Sequence, residues 1–552
     1  MTDNLPFSTG LHEPTHATAQ PSPRVHPTIF EPMTLLLIAV LCIFGAIIGM
    51  QLLVSLGITA NTSLIGALAA MALARVPLAA LARYRSIHVQ NLAQSAISSA
   101  TFGAGNSLLL PIGIPFVLGR PDLILPMFAG VFLAMLLDAY LLYRMFDSKV
   151  FPATGAWPPG VAAAEAIKAG DEGGRKAVLM GIGVAVGVAG SWFKIPMSAF
   201  GVAFIGNIWA LTMFGIGLLL RGYSTTLFNT PLFASAIPGG DLMKAYIPHG
   251  FMIGAGVIAL VQVGQVLMQR NRDRGTAEMA DTSLKRALGL GTLAYLAIAV
   301  MIAVTGGLMT DMSIGLLILF VLYAAFAAYV HELIVGLAAM HSGWFPAFAV
   351  ALITLIIGML IGFPVPALAL LVGFSAATGP AFADMGYDLK AGYILRGNGA
   401  DPAFELSGRR QQLFAAMFAF VIAGAMVFFS YETYFAQNLV APVNRVYAAT
   451  ISAGVAPGVA WSLFVWAIPG AILQFLGGSK RQLGVLFATG LLINFPMAGW
   501  AVLVGIAARI VWERLRGPEG EGDMEVFAAG VIAGDALFSF FDSVMKNFSK
   551  PG

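Results

Sequence analysis

The stretch MTLLLIAVLCIFGAIIGMQLLVSL, from Met33 to Leu56, contains no charged residue and decides the fold. An α-helix rises 1.5 Å per residue, so about 20 apolar residues cross the roughly 30 Å hydrocarbon core of a bilayer. This run is therefore predicted to be a transmembrane helix. Similar runs follow to the end of the 552-residue chain, which is 58% hydrophobic and 10% charged. A soluble domain carries about 25% charged residues, so this composition indicates a polytopic membrane protein.

The apolar runs also predict the number of spans. Those of membrane-spanning length give about 14 helices, and irregular apolar stretches at 152–169 and 224–243 raise the total to about 16. After the first run they lie near 60–83, 91–119, 122–145, 177–193, 196–221, 246–269, 286–308, 313–339, 346–378, 411–430, 447–477, 482–511 and 525–545. The predicted fold class is an all-α polytopic membrane protein with broken or re-entrant segments and two halves of the same orientation.

Basic residues predict the orientation, because cytoplasmic loops carry an excess of Lys and Arg. The central segment 270–286 holds Arg270, Arg272, Arg274, Lys285 and Arg286. We therefore predict that this loop and both termini are cytoplasmic and that the protein resides in the cell (inner) membrane. Each half then holds an even number of spans, about eight, as in parallel transporter repeats. The predicted organisation is a disordered tail 1–32, a first transmembrane half 33–269, a basic loop 270–286, a second half 287–545 and a tail 546–552.

Composition and motifs exclude several classes of function. The net charge of +3 is too small and too dispersed for nucleic-acid binding, and the single cysteine, Cys42, excludes a disulfide scaffold. The sequence contains no Walker A motif, HExxH motif or cysteine pair. We therefore predict no metal, no cofactor and no enzymatic activity. Transport by this chain would be driven by an ion gradient or by the gradient of the substrate itself.

Ionisable side chains inside apolar runs are candidates for function, because each costs about 2.5–3.5 kcal/mol to insert into a bilayer. They are Asp138, Glu165, Lys194, His249, His331, Glu332, Asp384, Asp388 and Asp535. Structural roles are the alternatives. Asp138 is close enough in sequence to pair with Arg144, and His331 with Glu332 fits an interhelical hydrogen bond as well as a proton relay.

Clusters of proline and glycine predict where helices break: FPATGAWPPG at 151–160, then 230–240, 363–366 and 379–380. Backbone groups freed at membrane depth are tolerated only where they are buried in protein or line a water-filled cavity, and transporters bind substrates at such breaks. Ordinary interfacial turns are the alternative. The 151–160 cluster leads directly into Glu165, which we predict to face a polar cavity and to couple protons or substrate. The competing interpretation is a local pair with Lys168.

Four stretches resemble the oligopeptide transporter superfamily, which includes the yellow stripe-like metal-chelate transporters. They are WPPGVAAAEAIKAGDEGG (Trp157–Gly174), DLKAGY (Asp388–Tyr393), RRQQ (Arg409–Gln412) and AGVIAGDAL (Ala529–Leu537). The first is similar to the aromatic-Pro-Glu-Gly-Val-Ala-x-Ala-Glu segment of the family, and the second to its Asp-Leu-Lys-Thr-Gly-Tyr motif. The stretches keep a consistent order and resemble those of a bacterial-type member.

The resemblance implies a secondary active transporter, usually one that takes up small peptides or peptide-like metal chelates together with protons, and it allows a homodimer. The expected partners are the lipid bilayer, the substrate and the coupling protons. The motifs, the helix breaks and the buried charges together give these candidate substrate- or proton-coupling residues: Trp157, Pro159, Gly160, Glu165, His341, Asp384, Asp388, Lys390, Tyr393 and Asp535.

The chain departs from the family pattern where substrate contacts are expected. Pro159 occupies the position of an acidic residue before Gly160, which removes one candidate carboxylate. Trp344 and Phe345 lie where relatives carry Ser- and Asn-rich residues, which favours a less polar substrate surface. The main alternative is a carrier for another small solute, or an exporter. The dispersed acidic residues disfavour an integral-membrane enzyme acting on lipids, and the broken helices disfavour a channel.

Overall fold

The computed structural model describes residues 25–56, 70, 79–233, 235, 237–268, 277–343, 347–454, 457–517 and 521–548. Within these ranges the chain is helical and forms no β-strand beyond one isolated bridge between Phe146 and Phe151. The predicted all-α fold is confirmed. Most of the predicted span at 60–83, the centre of the basic loop, and Trp344 with Phe345 lie outside the described residues.

The helices are numbered here in chain order. The first ten are α1 Pro32–Leu56, α2 Ile87–Phe102, α3 Leu110–Val117, α4 Ile124–Met145, α5 Pro158–Glu172, α6 Gly174–Trp192, α7 Met197–Val202, α8 Ile208–Gly222, α9 Ser224–Phe228 and α10 Ile247–Met268. The others are α11 Ala277–Thr305, α12 Leu308–Asp311, α13 Ile314–Ser342, α14 Ala347–Ile361, α15 Val365–Ala377, α16 Pro380–Leu395, α17 Pro402–Ala436, α18 Pro442–Ala453, α19 Val459–Arg481, α20 Leu483–Leu492, α21 Pro496–Arg516 and α22 Glu521–Phe548.

Nine stretches of the described residues are long and apolar enough to cross a membrane: Pro32–Val54, Ile87–Val117, Pro121–Met145, Arg286–Thr305, Ile314–Ser342, Val365–Leu395, Pro402–Ala436, Val459–Gly478 and Pro496–Arg516. Four shorter apolar helices accompany them, at Ile208–Gly222, Ile247–Ala259, Ala349–Ile361 and Leu483–Leu492. The protein is therefore a multi-pass membrane protein.

The predicted helix breaks are present, and local chemistry explains them. The stretch Val365–Leu395 consists of α15 and α16 with an interruption at Gly379, whose φ of 101° is accessible to glycine and strained for other residues. Pro380 then begins α16, where its missing N–H costs no helical hydrogen bond. Pro158 and Pro159 begin α5 in the same way.

Glycines set the closest contacts between helices. On α6, Gly183 and Gly187 lie against Gly530 and Gly534 of α22, and a Cβ atom added at Gly187 would lie 2.3 Å from the carbonyl oxygen of Val531. Side chains gain little by leaving lipid for another apolar surface, so membrane helices associate through small residues that let backbones approach. The AGVIAGDAL segment thus has a packing role.

The described end of the predicted N-terminal tail packs on the helices. The His26 ring lies 5.1 Å from the His88 ring and 5.3 Å from that of Phe404, centroid to centroid. The Ile29 N–H donates to Gln411 Oε1 at 3.0 Å. Burial lowers the pKa of His26 to about 4. Residues 25–31 therefore bring an uncharged imidazole against α2 and α17.

Candidate functional site

A cavity of about 580 Å³ lies where the broken segment before α5 meets several helices. Its walls come from that segment, α5, the connection between α7 and α8, the C-terminal turns of α13, α16, the junction of α19 with α20, and α22. The lining residues are Lys149, Val150, Pro152, Thr154, Gly155, Ala156, Val161, Ile205, Gly206, Asn207, Leu337, Met340, His341, Lys390, Lys480, Gln482 and Glu525. This size suits a small organic solute.

The cavity contains an excess of positive charge. Lys149, Lys390 and Lys480 line it together with one carboxylate, Glu525. The Lys390 Nζ donates to the carbonyl oxygen of Ala153 at 3.0 Å. An ammonium group has three donors, and this hydrogen bond uses one of them. The cavity therefore presents three cationic groups suited to a carboxylate, together with one acidic group, Glu525, which interacts electrostatically with Lys390.

Trp157 and Gly160 hold the broken segment against α16. Trp157 is fully buried with a φ of 40°, and its backbone N–H donates to the carbonyl oxygen of Met340 at 2.8 Å. A Cβ at Gly160 would lie 2.4 Å from the carbonyl oxygen of Tyr387, and one at Gly386 would lie 2.2 Å from the Trp157 ring. Both candidates therefore position the cavity wall, and neither is a lining residue.

Two carboxyl groups one helical turn apart on α16 form a second polar centre. Asp384 Oδ1 accepts from Ser98 Oγ at 2.5 Å, and Asp388 Oδ1 accepts from Gln94 Nε2 at 2.6 Å. Ser99 Oγ lies 3.3 Å from Asp384 Oδ2 and 3.4 Å from Asp388 Oδ2. All these side chains are buried.

This arrangement suits one proton held by the pair. The donors around the two carboxyl groups are hydroxyl and amide groups of α2, which bring no positive charge. The Ser99 hydroxyl carries one hydrogen and can donate to only one of the two groups at a time. Two adjacent buried carboxylates repel each other, so they do not both ionise readily. Asp384 and Asp388 therefore form a buried carboxyl pair whose hydrogen-bond donors carry no charge.

A buried ion pair connects this centre to α17. Arg396 Nε and Nη2 donate to the two Glu405 oxygens at 2.8 and 3.0 Å, and Arg396 Nη1 donates to Gln412 Oε1 at 2.9 Å. Gln412 Nε2 in turn donates to the carbonyl oxygen of Asp388 at 2.5 Å. Sequence reasoning missed Arg396 and Glu405. The sequence did contain a signal for this pair, because an arginine ends an apolar run and an acidic residue follows nine positions later.

Two other predicted residues, Glu165 and Asp535, are hydrogen-bonded to neighbouring residues of the protein. Glu165 Oε1 accepts from Lys168 Nζ at 2.9 Å, which is the local pair that the sequence offered as the alternative to a coupling role. Glu165 is not among the residues that line the cavity. Asp535 accepts from Ser191 Oγ at 2.5 Å and from the Ser198 N–H at 2.7 Å.

Of the last three predicted positions, His341 lines the cavity, whereas Tyr393 and Pro159 do not. Lys390 Nζ lies 5.8 Å from the centre of the Tyr393 ring, which is close enough for a cation–π contact. Pro159 packs near Gly343, where a Cβ would lie 3.0 Å from the proline Cδ. His341 lines the cavity, and its Nδ1 lies 2.9 Å from the carbonyl oxygen of Leu337. Of the ten candidates, Lys390 and His341 therefore meet at the cavity.

Interrupted membrane helices around a charged cavity are typical of membrane transporters. The family model described as "OPT oligopeptide transporter protein" matches residues 33–270 and 197–546, which together cover most of the chain. The chain belongs to the OPT oligopeptide transporter family, whose members are transporters. A comparison with curated proteins finds no match to this chain.

Proposed function

We propose that the protein is a secondary active transporter that takes up small peptides or peptide-like metal chelates together with protons. The observation that carries this proposal is the position of α16. This one helix contributes Lys390 to the cavity and contains the buried pair of Asp384 and Asp388. Positions two residues apart on a helix face different directions, so Lys390 reaches the cavity whereas Asp388 contacts α2. Movement of α16 would therefore affect both at once.

The charges of the cavity support a peptide-like substrate. A peptide with free ends has a carboxylate and an ammonium group, and many chelators have several carboxylates. Lys149, Lys390 and Lys480 match carboxylates, whereas Glu525 matches an amine. A carrier of another small anion is the competing function, because the cationic groups outnumber the acidic one. A counterflow assay with peptides, chelates and simple dicarboxylates separates the two.

The orientation is part of the same proposal. We place the termini and the 270–286 loop on the cytoplasmic side of the cell (inner) membrane, because the basic residues concentrate there. In a Cys42→Ala background, the variant Ala277→Cys should react with a membrane-impermeant thiol reagent only after the membrane is opened. Labelling of intact cells from outside would contradict this orientation.

We expect Lys390→Gln to weaken binding of peptides with a free carboxylate. A hydrogen bond to a charged group contributes about 1.5–3 kcal/mol, which is about 10- to 150-fold in affinity. Counterflow in proteoliposomes should show that increase in the half-saturating concentration. The same variant should lose much less affinity for a peptide amidated at its C-terminus, because that ligand has no carboxylate to lose.

The matched control is Lys176→Gln on α6, whose ammonium group pairs with Glu172 near the surface. It should transport both peptides like the unmodified protein. Equal losses for free and amidated peptides in Lys390→Gln would contradict carboxylate binding at Lys390.

A further inference from the structure

Three helices bring Asp138, Tyr295 and Glu332 together at a place separate from the cavity. They lie on α4, α11 and α13, and all three side chains are fully buried. Glu332 interacts electrostatically with Asp138, and the Tyr295 hydroxyl lies beside both carboxyl groups. None of the three lines the cavity, and none belongs to the pair on α16.

The two carboxyl groups have different surroundings. Asp138 Oδ1 accepts from the Tyr295 hydroxyl at 2.5 Å, and Asp138 Oδ2 accepts from the Gly379 N–H at 3.0 Å. Each oxygen therefore faces a donor, which stabilises the ionised form. Glu332 is the opposite case: the Tyr295 hydroxyl lies beside it but gives its one hydrogen to Asp138, so no hydrogen bond of regular geometry reaches either Glu332 oxygen from the described residues. A buried carboxylate without a partner is strongly disfavoured.

We infer that Glu332 binds a proton, with Asp138 as the fixed negative charge and Tyr295 as the group between them. This inference rests on the proposed function and identifies a second proton site of the same transporter. Tyr295 gives its hydrogen to Asp138, so the lone pairs of its oxygen can accept the hydrogen of a protonated Glu332. The resulting order of donors is Glu332 to Tyr295 to Asp138. The proton comes from water and returns to water on release.

A proton fits this place better than a metal ion. The Tyr295 hydroxyl and the Gly379 N–H each donate a hydrogen bond to one Asp138 oxygen. These hydrogens occupy the positions from which a cation would approach the carboxylate. The part of the chain that the structure describes holds no group of three His, Cys, Asp or Glu side chains suited to a metal. The remaining ionisable neighbours on α13 are Tyr329 and His331, and His331 Nδ1 bonds to the carbonyl oxygen of Ser375 on α15.

Two helices connect this place to the cavity. Gly379, which donates to Asp138, immediately precedes α16, and Lys390 follows about 16 Å further along that helix. His341 lies about 13 Å beyond Glu332 on α13. Loss of the proton from Glu332 would put a second negative charge beside Asp138 and change its hold on Gly379. Occupancy of Glu332 thereby controls the break that positions Lys390.

Infrared spectroscopy of the full chain in lipid nanodiscs tests the inference without any substrate. A protonated buried carboxyl group gives a C=O stretching band that ionised groups lack. We expect Glu332→Gln to remove one such band near neutral pH, and the exposed control Glu432→Gln to keep it. Tyr295→Phe should shift the band, because the acceptor of the Glu332 hydrogen is lost. That second variant also provides the answer if Glu332→Gln does not fold.

An unchanged band in Glu332→Gln, or no shift in Tyr295→Phe, would overturn the inference. Disappearance of the wild-type band when sodium is added at constant pH would also overturn it, in favour of a metal cation. The coupled readout is transport: Glu332→Gln should lose accumulation driven by a pH gradient and keep counterflow. If no peptide or chelate is transported but the band behaves as expected, the proposed function fails and the proton site stands.

Discussion

Asp388→Asn is expected to abolish accumulation of substrate driven by a proton gradient, while exchange of substrate across the membrane continues. Asparagine has nearly the shape of aspartate and can still accept from Gln94, but it cannot bind and release a proton. The substitution also removes the charge that competes with Asp384 for the Ser99 hydroxyl. The pair would then be unable to couple a proton to movement of α16, so the accumulation ratio should fall to one.

The measurement uses purified protein in proteoliposomes at matched amounts, with an imposed pH gradient for accumulation and equal pH for counterflow. Asp384→Asn should give the same loss, since the two carboxyl groups share one hydroxyl donor. Glu165→Gln is the informative comparison, because the sequence made Glu165 the first candidate for coupling and the structure pairs it with Lys168. Normal pH-dependent accumulation in Asp388→Asn would contradict the assignment, and its loss in Glu165→Gln alone would assign coupling to Glu165.

The sequence predicted the membrane fold and its interruptions because both depend on local properties. Apolar length decides which segments cross the bilayer, and the prolines of 151–160 and 379–380 decide where α5 and α16 begin. Two predicted residues, Lys390 of the DLKAGY motif and His341, also line the cavity. These successes required no knowledge of which helix packs against which.

The partners of the buried charges could not be predicted in the same way. Asp138 and Glu332 are far apart in sequence. Only the packing of α4, α11, α13 and the break before α16 gives Asp138 two donors and leaves Glu332 without a regular hydrogen bond. Glu165 was expected to face the cavity because it follows the break, yet its position on α5 turns it to Lys168. The direction in which a side chain points depends on how its helix is rotated about its axis. Contacts with the backbones of neighbouring helices set that rotation. Gly160 against Tyr387 is one such contact.

The largest effect on stability is expected from Arg396→Gln, which breaks a buried ion pair between the end of α16 and the first turn of α17. The side chains of Arg396 and Glu405 are 0% and 5% exposed, so water cannot replace the lost partner. Removing one member of such a pair costs about 3–5 kcal/mol. Arg409, whose Nε lies 2.7 Å from Glu405 Oε1, retains part of the compensation and favours the lower end.

Unfolding in a denaturing detergent, followed by circular dichroism, measures this loss. The control Arg175→Gln removes an exposed partner of Asp523 and should cost about 0–1 kcal/mol. The double variant Arg396→Met with Glu405→Leu should recover much of the stability, because both buried charges of the pair are removed together and Arg409 keeps Asp147 as its partner. If Arg396→Gln were no worse than the exposed control, the pair would not hold α16 to α17. Gln412, which Arg396 orients, would then reach the Asp388 carbonyl without its help.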